Sequence, residues 1–203
     1  MVRELLGGSQ AHATSVVAYG NSRMPSYSGL HAELFEARQA PMQVLASDEH
    51  KDSLKGFDTL FIHVGTQRGK VGLENQIKLE YDDTLAVARA CLEGGCKTCH
   101  IVSSIGASPT AGVTYLKTKG RIEEALKIVG FERLVIYRPA ALVGGDRDVP
   151  GAKRFFITCL SALNAISKID VKDVATTMRV VALRPGAGAV EVFENAELVS
   201  LAK

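Results

Sequence analysis

The sequence HIVSSIGASPTAGVTYLKTKG, residues 100–120, combines an apolar strand with the helix that follows it. The strand, residues 100–103, breaks at Ser104-Ile105-Gly106, and the helix carries Tyr115 and Lys119. Because four residues make about one helical turn, these two side chains are expected on one face of the helix. The stretch therefore brings a hydroxyl at a strand end into the same region as a phenol and an ammonium group.

These three residue types suit proton transfer. A tyrosine has a reference pKa of about 10, and a nearby lysine ammonium favours the phenolate and lowers that pKa. A serine hydroxyl can hydrogen-bond the same substrate oxygen, while the tyrosine gives or takes a proton as hydride moves to or from the carbonyl carbon. The Tyr-x-x-x-Lys spacing is also typical of an amphipathic tyrosine beside a solvated lysine. Its place directly after an apolar strand that ends in Ser-Ser-x-Gly favours the functional interpretation.

Strands and helices alternate along most of the chain. Apolar runs predict strands at residues 13–19, 42–46, 59–64, 134–137 and 190–193. Helices are predicted at 30–39, 73–93 and 172–183, besides the one that carries Tyr115. Such alternation is typical of an α/β protein with a doubly wound, mostly parallel Rossmann-like sheet. We expect a single domain, residues 1–203, whose C-terminal portion, residues 144–203, includes the substrate side.

Composition and charge exclude several classes of protein. The chain has 203 residues, of which 46% are hydrophobic and 23% charged, and its formal net charge is +2. No dense run of Lys and Arg indicates a nucleic acid partner or an anionic membrane surface. No apolar run approaches the ~20 residues of a membrane-spanning helix, and the N-terminus lacks the apolar core of a signal peptide. A cytosolic location is therefore predicted, with no membrane span.

The four cysteines, at positions 91, 96, 99 and 159, do not suggest a disulfide scaffold in a chain of this length. The CKTCH sequence at 96–100 has the spacing of a c-type haem attachment site and of a redox pair. However, it runs from a Gly-Gly helix end directly into an apolar strand, and the chain shows no export signal. We therefore predict free thiols at a helix–strand junction and no metal site.

A glycine-rich basic loop, residues 65–70, follows the strand predicted at 59–64. Ligands of open α/β sheets bind at such strand ends. The loop lacks the Gly-Lys-Ser/Thr spacing of a P-loop. It is either part of a ligand site or a plain solvent-exposed turn.

The order and spacing of several motifs resemble the atypical, Rossmann-type short-chain dehydrogenases/reductases, most closely the Tat-interacting-protein-like oxidoreductases. The similarity runs from about residue 58 to about residue 182. It rests on VGTxRGK at 64–70, GGCK at 94–97, SSxGA at 103–107, YLxxKG at 115–120, RP at 138–139 and IDVxDVA at 169–175. The resemblance implies an NAD(P)-dependent oxidoreductase that acts on a carbonyl or an alcohol.

The resemblance also implies roles for particular residues. Ser104 would bind and polarise the substrate carbonyl, with Ser103, which also borders the cofactor, as the alternative. Tyr115 would be the general acid/base. Lys119 would lower the pKa of that tyrosine and hold the nicotinamide ribose.

Further residues would contact the cofactor on this resemblance. Gly65 and Thr66 would line it near its ribose and phosphates. Its carboxamide would lie beside the backbone of Pro139, Ala140, Ala141 and Leu142. Arg23, just after a strand, is placed to pair with an adenosine 2′-phosphate, which favours NADP over NAD, although an arginine at a strand end is also often simply solvated.

The sequence departs from the family at its beginning. The family starts with a strand and a Gly-x-x-Gly-x-x-Gly turn that binds the pyrophosphate, and neither is found here. Residues 2–6 align with the end of the first helix and residues 15–19 with the second strand. Because the first strand is central in a 3-2-1-4-5-6 sheet, its loss leaves two unpaired inner edges, at roughly 1–3 kcal/mol for each buried unpartnered group. Either these edges pair with one another, or the protein is unstable, or the chain is a fragment of an ordinary reductase.

Two classes of function are compatible with these features. The first is an oxidoreductase that uses NADP or, as the alternative, NAD. The second is a non-catalytic module of the same fold that senses a nucleotide, binds a protein partner by strand addition at the vacated edge, or forms a homo-oligomer. The segment expected to cover the substrate, residues 144–168, includes an apolar run at 155–163 but no recognisable chemistry, so the substrate itself is not predicted.

Overall fold

The computed structural model describes residues 1–21, 24–66, 71–144 and 168–203. Their strands form three parallel sheets. The largest joins, in spatial order, Thr59–Ile62 (β3), Thr98–Val102 (β4), Arg133–Arg138 (β5) and Val190–Glu194 (β8). The two smaller sheets pair Val16–Gly20 (β1) with Phe35–Gln39 (β2), and Ala141–Val143 (β6) with Lys168–Asp170 (β7).

The helices lie between these strands in the chain. They are α1 (Val2–Leu6), α2 (Met42–Leu45), α3 (Leu73–Ile77), α4 (Thr84–Glu93), α5 (Thr114–Val129), α6 (Val171–Leu183) and α7 (Asn195–Leu201). A π-helical segment, Lys78–Asp83, joins α3 to α4, and 3₁₀ turns occupy Ala32–Leu34 and Lys51–Leu54. Among the described residues, no helix is long and apolar enough to cross a membrane.

The main sheet is covered by helices on both faces, because its side chains alternate between two cores. On β5, Leu134 and Ile136 face a core that includes residues of α4 and α5. Val135 and Tyr137 face a second core with residues of α6 and α7. This arrangement confirms the predicted doubly wound, parallel α/β fold of Rossmann type.

The β1–β2 pair is separate from the main sheet. Among the described residues, no strand pairs with the free edge of β1 or with that of β3. Side chains connect the two parts instead: Tyr19 of β1 packs against the core that contains Ile62 of β3, and its hydroxyl donates to the backbone oxygen of Ser53 at 2.9 Å. The explanation in which the two edges pair with one another is therefore wrong.

Two predicted elements near these edges are also wrong. Residues 30–39 were expected to be helical, yet Phe35–Gln39 forms strand β2, because pairing with β1 overrides the helix-forming composition of FEARQ. Residues 42–46 were expected to be a strand, yet Met42–Leu45 forms helix α2. Pro41 at the helix N-cap, with a φ of −67°, is the signal that could have indicated this helix.

The described cysteines are free thiols inside a core, as predicted. Cys91, Cys96 and Cys99 are all buried and unpaired by disulfides. Burial raises the pKa of the Cys91 thiol to about 12 and that of Cys96 to about 11, and it raises the pKa of Cys99 as well. Because the thiolate is the reactive form, these are structural rather than redox cysteines. Cys159 lies outside the described residues.

A stack of aromatic rings crosses the main sheet. Phe61, His100, Tyr137 and Phe193 come from β3, β4, β5 and β8, and their successive ring centres are 4.7, 5.9 and 5.8 Å apart. The Nδ1 atom of His100 is 2.8 Å from the Tyr137 hydroxyl oxygen. Burial, with smaller effects from Arg133 and His63, lowers the pKa of His100 to about 3. The imidazole is therefore neutral in the folded protein.

Acidification is expected to cost the wild type more stability than a His100→Asn variant. In the unfolded chain the imidazole has an ordinary pKa of 6.5, so it binds a proton well before the folded one does. The free energy of unfolding should therefore fall by up to about 1.4 kcal/mol per pH unit from this group as the pH drops from 6.5 toward 3. Asparagine keeps a polar group near the Tyr137 hydroxyl without titrating. Urea unfolding over this pH range measures the two slopes, and equal slopes would contradict a neutral buried imidazole.

Candidate active site

A cavity of about 870 Å³ lies at the carboxyl ends of three neighbouring strands. Its walls include the segment after β3 at residues 63–66, the end of β4 at 102–104, and the residues that follow β5. In open parallel sheets ligands bind at these strand ends. The cavity is therefore the candidate active site.

Most of the residues singled out in the sequence meet in this cavity. Those that line it are Gly65, Thr66, Ser103, Ser104, Tyr115, Lys119, Pro139, Ala140 and Leu142. Ala141 begins β6 and is not among the lining residues. Three of the predicted parts lie outside the described part of the chain: Arg23, residues 67–70 of the basic loop, and residues 145–167 of the expected substrate cover, 144–168.

Helix α5 presents Tyr115 and Lys119 to the cavity from one face, as predicted. The Lys119 ammonium is 5.8 Å from the centre of the Tyr115 ring. Gly120 lets this helix approach the preceding loop closely, because a Cβ at that position would lie 2.1 Å from the carbonyl carbon of Ser108. The loop is also bonded to the helix, since the Ser108 amide donates to the Leu116 oxygen at 3.2 Å.

Lys119 is buried and held by the end of β3 and by the π-helical segment. Its Nζ donates to the backbone oxygen of Val64 at 3.0 Å and lies 3.2 Å from a carboxylate oxygen of Glu80. The other Glu80 oxygen accepts from the Thr66 amide at 3.0 Å and from the Gln76 side chain at 3.2 Å. Glu80 thus connects the lysine to the loop that borders the cavity.

Glu80 was missed by sequence reasoning. It lies three residues after Ile77 and four before Thr84, which places it on the buried side of the helical stretch. That position was the available signal, because a carboxylate among buried residues requires a partner. Glu80 and Asp83 are both buried residues of the π-helical segment Lys78–Asp83.

The two serines at the end of β4 have different surroundings. The Ser103 hydroxyl donates to the buried carboxylate of Glu123. Within the described part of the chain, the Ser104 hydroxyl has only a long contact, 3.3 Å, to the oxygen of Ile105 in its own loop. The Ser104 hydroxyl is thus the one of the two that can more easily turn to a ligand.

The apolar side of the cavity was predicted only at Leu142. This residue of β6 is joined there by Val171, Val174, Ala175 and Met178 of helix α6. Arg3 and Lys172 add positive charge at the exposed rim. Glu4, beside Arg3, pairs with Arg179 at 3.0 Å, and Asp173 follows Lys172 in the sequence. Arg3 and Lys172 themselves border the cavity, where a cationic side chain suits an anionic ligand.

Comparison with known proteins identifies the family. The chain is 30% identical to the HTATIP2 protein of Rattus norvegicus over 160 residues, which cover 77% of this chain and 66% of that protein. This chain belongs to the atypical short-chain dehydrogenase/reductase family. Mitochondrial FMP52 of Eremothecium gossypii is another relative of this chain, 48% identical over 100 residues that cover 48% of the chain and 45% of FMP52. The chain thus spans between about half and two thirds of the length of these relatives. No protein-family model matches it.

Solved structures agree with the fold of this chain. MoeE5 in complex with UDP-glucuronic acid and NAD superposes with a TM-score of 0.64 at 16% identity, covering 89% of this chain and 68% of MoeE5. The Bordetella bronchiseptica enzyme WbmH in complex with NAD⁺ gives 0.62 at 18% identity, covering 89% and 66%. At these identities the likeness concerns the fold alone.

The predicted cytosolic location of the protein is wrong. Its fungal relatives from Eremothecium gossypii, Emericella nidulans and two Candida species are named as mitochondrial proteins. The prediction rested on the missing signal peptide, a feature that concerns secretion and does not separate the cytosol from mitochondria.

Proposed function

We propose that this chain is a nicotinamide-dinucleotide-dependent oxidoreductase that reduces a carbonyl or oxidises an alcohol. The supporting observation is that Ser104, Tyr115 and Lys119 meet in one cavity at the carboxyl ends of parallel strands. A hydroxyl, a phenol and a buried ammonium are the donors that carbonyl reduction needs, since negative charge develops on the substrate oxygen. The names of the fungal relatives support a mitochondrial location for this activity.

In this proposal a bound nicotinamide supplies or accepts the hydride, and the side chains manage the proton and the charge. During reduction the carbonyl carbon gains the hydride while its oxygen takes the proton of the Tyr115 hydroxyl. The Ser104 hydroxyl donates a hydrogen bond to the same oxygen. The Lys119 ammonium stabilises the phenolate that remains until solvent returns the proton.

The residues present suit a dinucleotide, with one difference from the family. The volume of about 870 Å³ lies within the ~300–1,000 Å³ common for small-molecule sites. Lys119 and the Gly65–Thr66 backbone would hold the ribose, and the backbone of residues 139–142 would hold the carboxamide. The described residues include no glycine-rich turn for the pyrophosphate, so Arg3 and Lys172 at the rim would supply the positive charge.

The form of the cofactor is a finer proposal. MoeE5 and WbmH were crystallised with NAD, which supports a nicotinamide dinucleotide as the ligand here. We propose NADP as the preferred form, because Arg23 follows β1 in the sequence and a guanidinium binds phosphate oxygens well.

The separate β1–β2 sheet supports a second candidate function. Strands β1 and β3 each keep an edge without a strand partner among the described residues. Such edges bind extended segments of other proteins by strand addition. On this alternative the chain is a non-catalytic interaction module, and a co-purifying partner or a homo-oligomer would be found.

Calorimetric titration of the 203-residue protein with NADP⁺ and then NAD⁺ tests the first proposal. We expect binding at micromolar strength, stronger for NADP⁺, followed by NADPH-dependent reduction of a carbonyl in a substrate screen. Absence of heat from a folded protein would contradict cofactor binding and favour the interaction module.

A matched pair of lysines on α5 provides the control for this titration. Lys119→Met removes the buried ammonium in the cavity and should weaken binding about tenfold or more, as expected for a lost charge-assisted hydrogen bond. Lys117→Met removes an exposed lysine two residues earlier and should change the affinity little. Equal cofactor affinities in the two variants would show that the cofactor does not bind at the proposed site.

A further inference from the structure

The carboxylate of Glu123 joins the three elements that form the candidate site. Glu123 lies on α5, two turns after Tyr115, and only 1% of the residue is exposed. It accepts the hydroxyl of Ser103 at the end of β4. It also accepts a two-pronged hydrogen bond from Arg138 at the end of β5, with Nε at 3.1 Å and Nη2 at 2.5 Å.

The contacts of Glu123 stand directly beside the proposed reacting groups. Ser103 precedes Ser104, the proposed carbonyl-binding residue, and Arg138 precedes Pro139 in the cavity wall. The backbone links these two strand ends to each other, because the Ile105 amide donates to the Pro139 oxygen at 3.0 Å. The Glu123 carboxylate connects helix α5 to these two strand ends, because it contacts the side chain of Ser103 at one end and that of Arg138 at the other.

We propose that Glu123 is a positioning residue, which sets the location of the Ser104 hydroxyl relative to Tyr115. It does so by holding Ser103 and Arg138 against the helix that carries the tyrosine. The proposal rests on the oxidoreductase function given above. A rigid two-pronged pair fixes orientation as well as distance, and misplacement of a reacting group by about 1 Å can lower a rate about 100-fold.

The alternative is that the ion pair between Glu123 and Arg138 only stabilises the fold. A second buried cluster, on β5 and β8, provides a control for this alternative. At the opposite ends of β5 and β8, Arg133 lies 2.7 Å and Arg184 lies 3.2 Å from the carboxylate of Glu191. Glu191 is also buried. Its two arginines come from β5 and from the C-cap of α6, whereas Glu123 is held by one arginine and one serine. This second cluster shares the chemistry of the first but does not border the cavity.

The kinetic test compares Glu123→Gln with Glu191→Gln. Both variants should lose similar amounts of thermal stability. Only Glu123→Gln should lower kcat, by about 10–100-fold, with KM and cofactor affinity changed less than about threefold, because mispositioning affects the transition state more than ground-state binding. Arg138→Lys keeps the charge without the two-pronged geometry and should give an intermediate loss. Equal kcat values in Glu123→Gln and Glu191→Gln would overturn the proposal.

A double variant tests whether Glu123 acts through the serine. If it does, Glu123→Gln should lower kcat much less in a Ser104→Ala background than in the wild type, since the hydroxyl that it positions is already gone. If the two substitutions instead lower kcat by independent factors that multiply in the double variant, Glu123 does not act through Ser104.

Amide exchange separates this proposal from the proposed function. The Ile105 amide should exchange at least about tenfold faster in Glu123→Gln than in Glu191→Gln, because its partner strand end is no longer held. Should the wild type prove inactive, the oxidoreductase proposal fails while this measurement still decides the positioning role. Unchanged Ile105 exchange in Glu123→Gln would overturn it.

Discussion

The Tyr115→Phe variant is expected to lose carbonyl reduction by about 100- to 10,000-fold in kcat, the usual contribution of a positioned general acid. The substitution removes the hydroxyl that gives its proton to the substrate oxygen and keeps the ring, whose centre is 5.8 Å from the Lys119 ammonium. The packing around the lysine should therefore persist. Single-turnover measurements with NADPH and an identified carbonyl substrate would report the chemical step directly.

Cofactor binding is the internal control for this variant. By calorimetry the affinity for NADP⁺ should stay within about twofold of the wild type, because the phenol contacts the substrate oxygen rather than the cofactor in this proposal. Tyr81→Phe is a matched substitution outside the cavity, where the tyrosine ring packs under the Arg121 guanidinium at 4.6 Å. It should leave kcat unchanged. Full turnover by Tyr115→Phe would exclude tyrosine acid/base chemistry.

The α/β fold class and half of the candidate site could be predicted because the signals for them are local in the sequence. Ser104, Tyr115 and Lys119 belong to one strand–helix unit, so spacing alone places them at one strand end and on one helix face. Glu80 and Glu123 escaped prediction because their partners are distant in the chain or on other elements. Lys119 is 39 residues from Glu80, and only the folded sheet brings β3, β4 and α5 together.

In strand β2, pairing with a neighbouring strand determines the secondary structure against the local helix preference of the sequence. Its residues FEARQ favour a helix when read alone, yet all five pair in register with β1. The β1–β2 pair in turn has no backbone pairing with β3, and the side chain of Tyr19 connects it to the rest of the protein. Sheet order depends on contacts between distant segments, which periodicity does not report.

The Glu80→Gln variant is expected to lose about 3–5 kcal/mol of unfolding free energy, the cost of leaving a buried charge without its partner. Lys119 and Glu80 are both buried at a distance of 3.2 Å, with side-chain exposures of 4% and 0%. The loss is large against a typical total of about 5–15 kcal/mol. Chemical denaturation measures it. Cofactor affinity should fall as well, because the same carboxylate holds the Thr66 amide at the cavity edge.

Two further variants distinguish a buried pair from a general effect of this helix. Asp83→Asn removes a buried acid three residues later, whose partner Lys78 is 54% exposed. Water can hydrate the ammonium that this substitution leaves unpaired, so the loss should stay below about 1 kcal/mol. The double variant Glu80→Gln/Lys119→Met removes both charges and should recover part of the stability lost by Glu80→Gln alone, since no unpaired ammonium remains. A double variant less stable than Glu80→Gln by the full cost of Lys119→Met would show that the two side chains are not coupled. In that case the loop at Thr66, rather than the lysine, would be the partner through which Glu80 stabilises the protein.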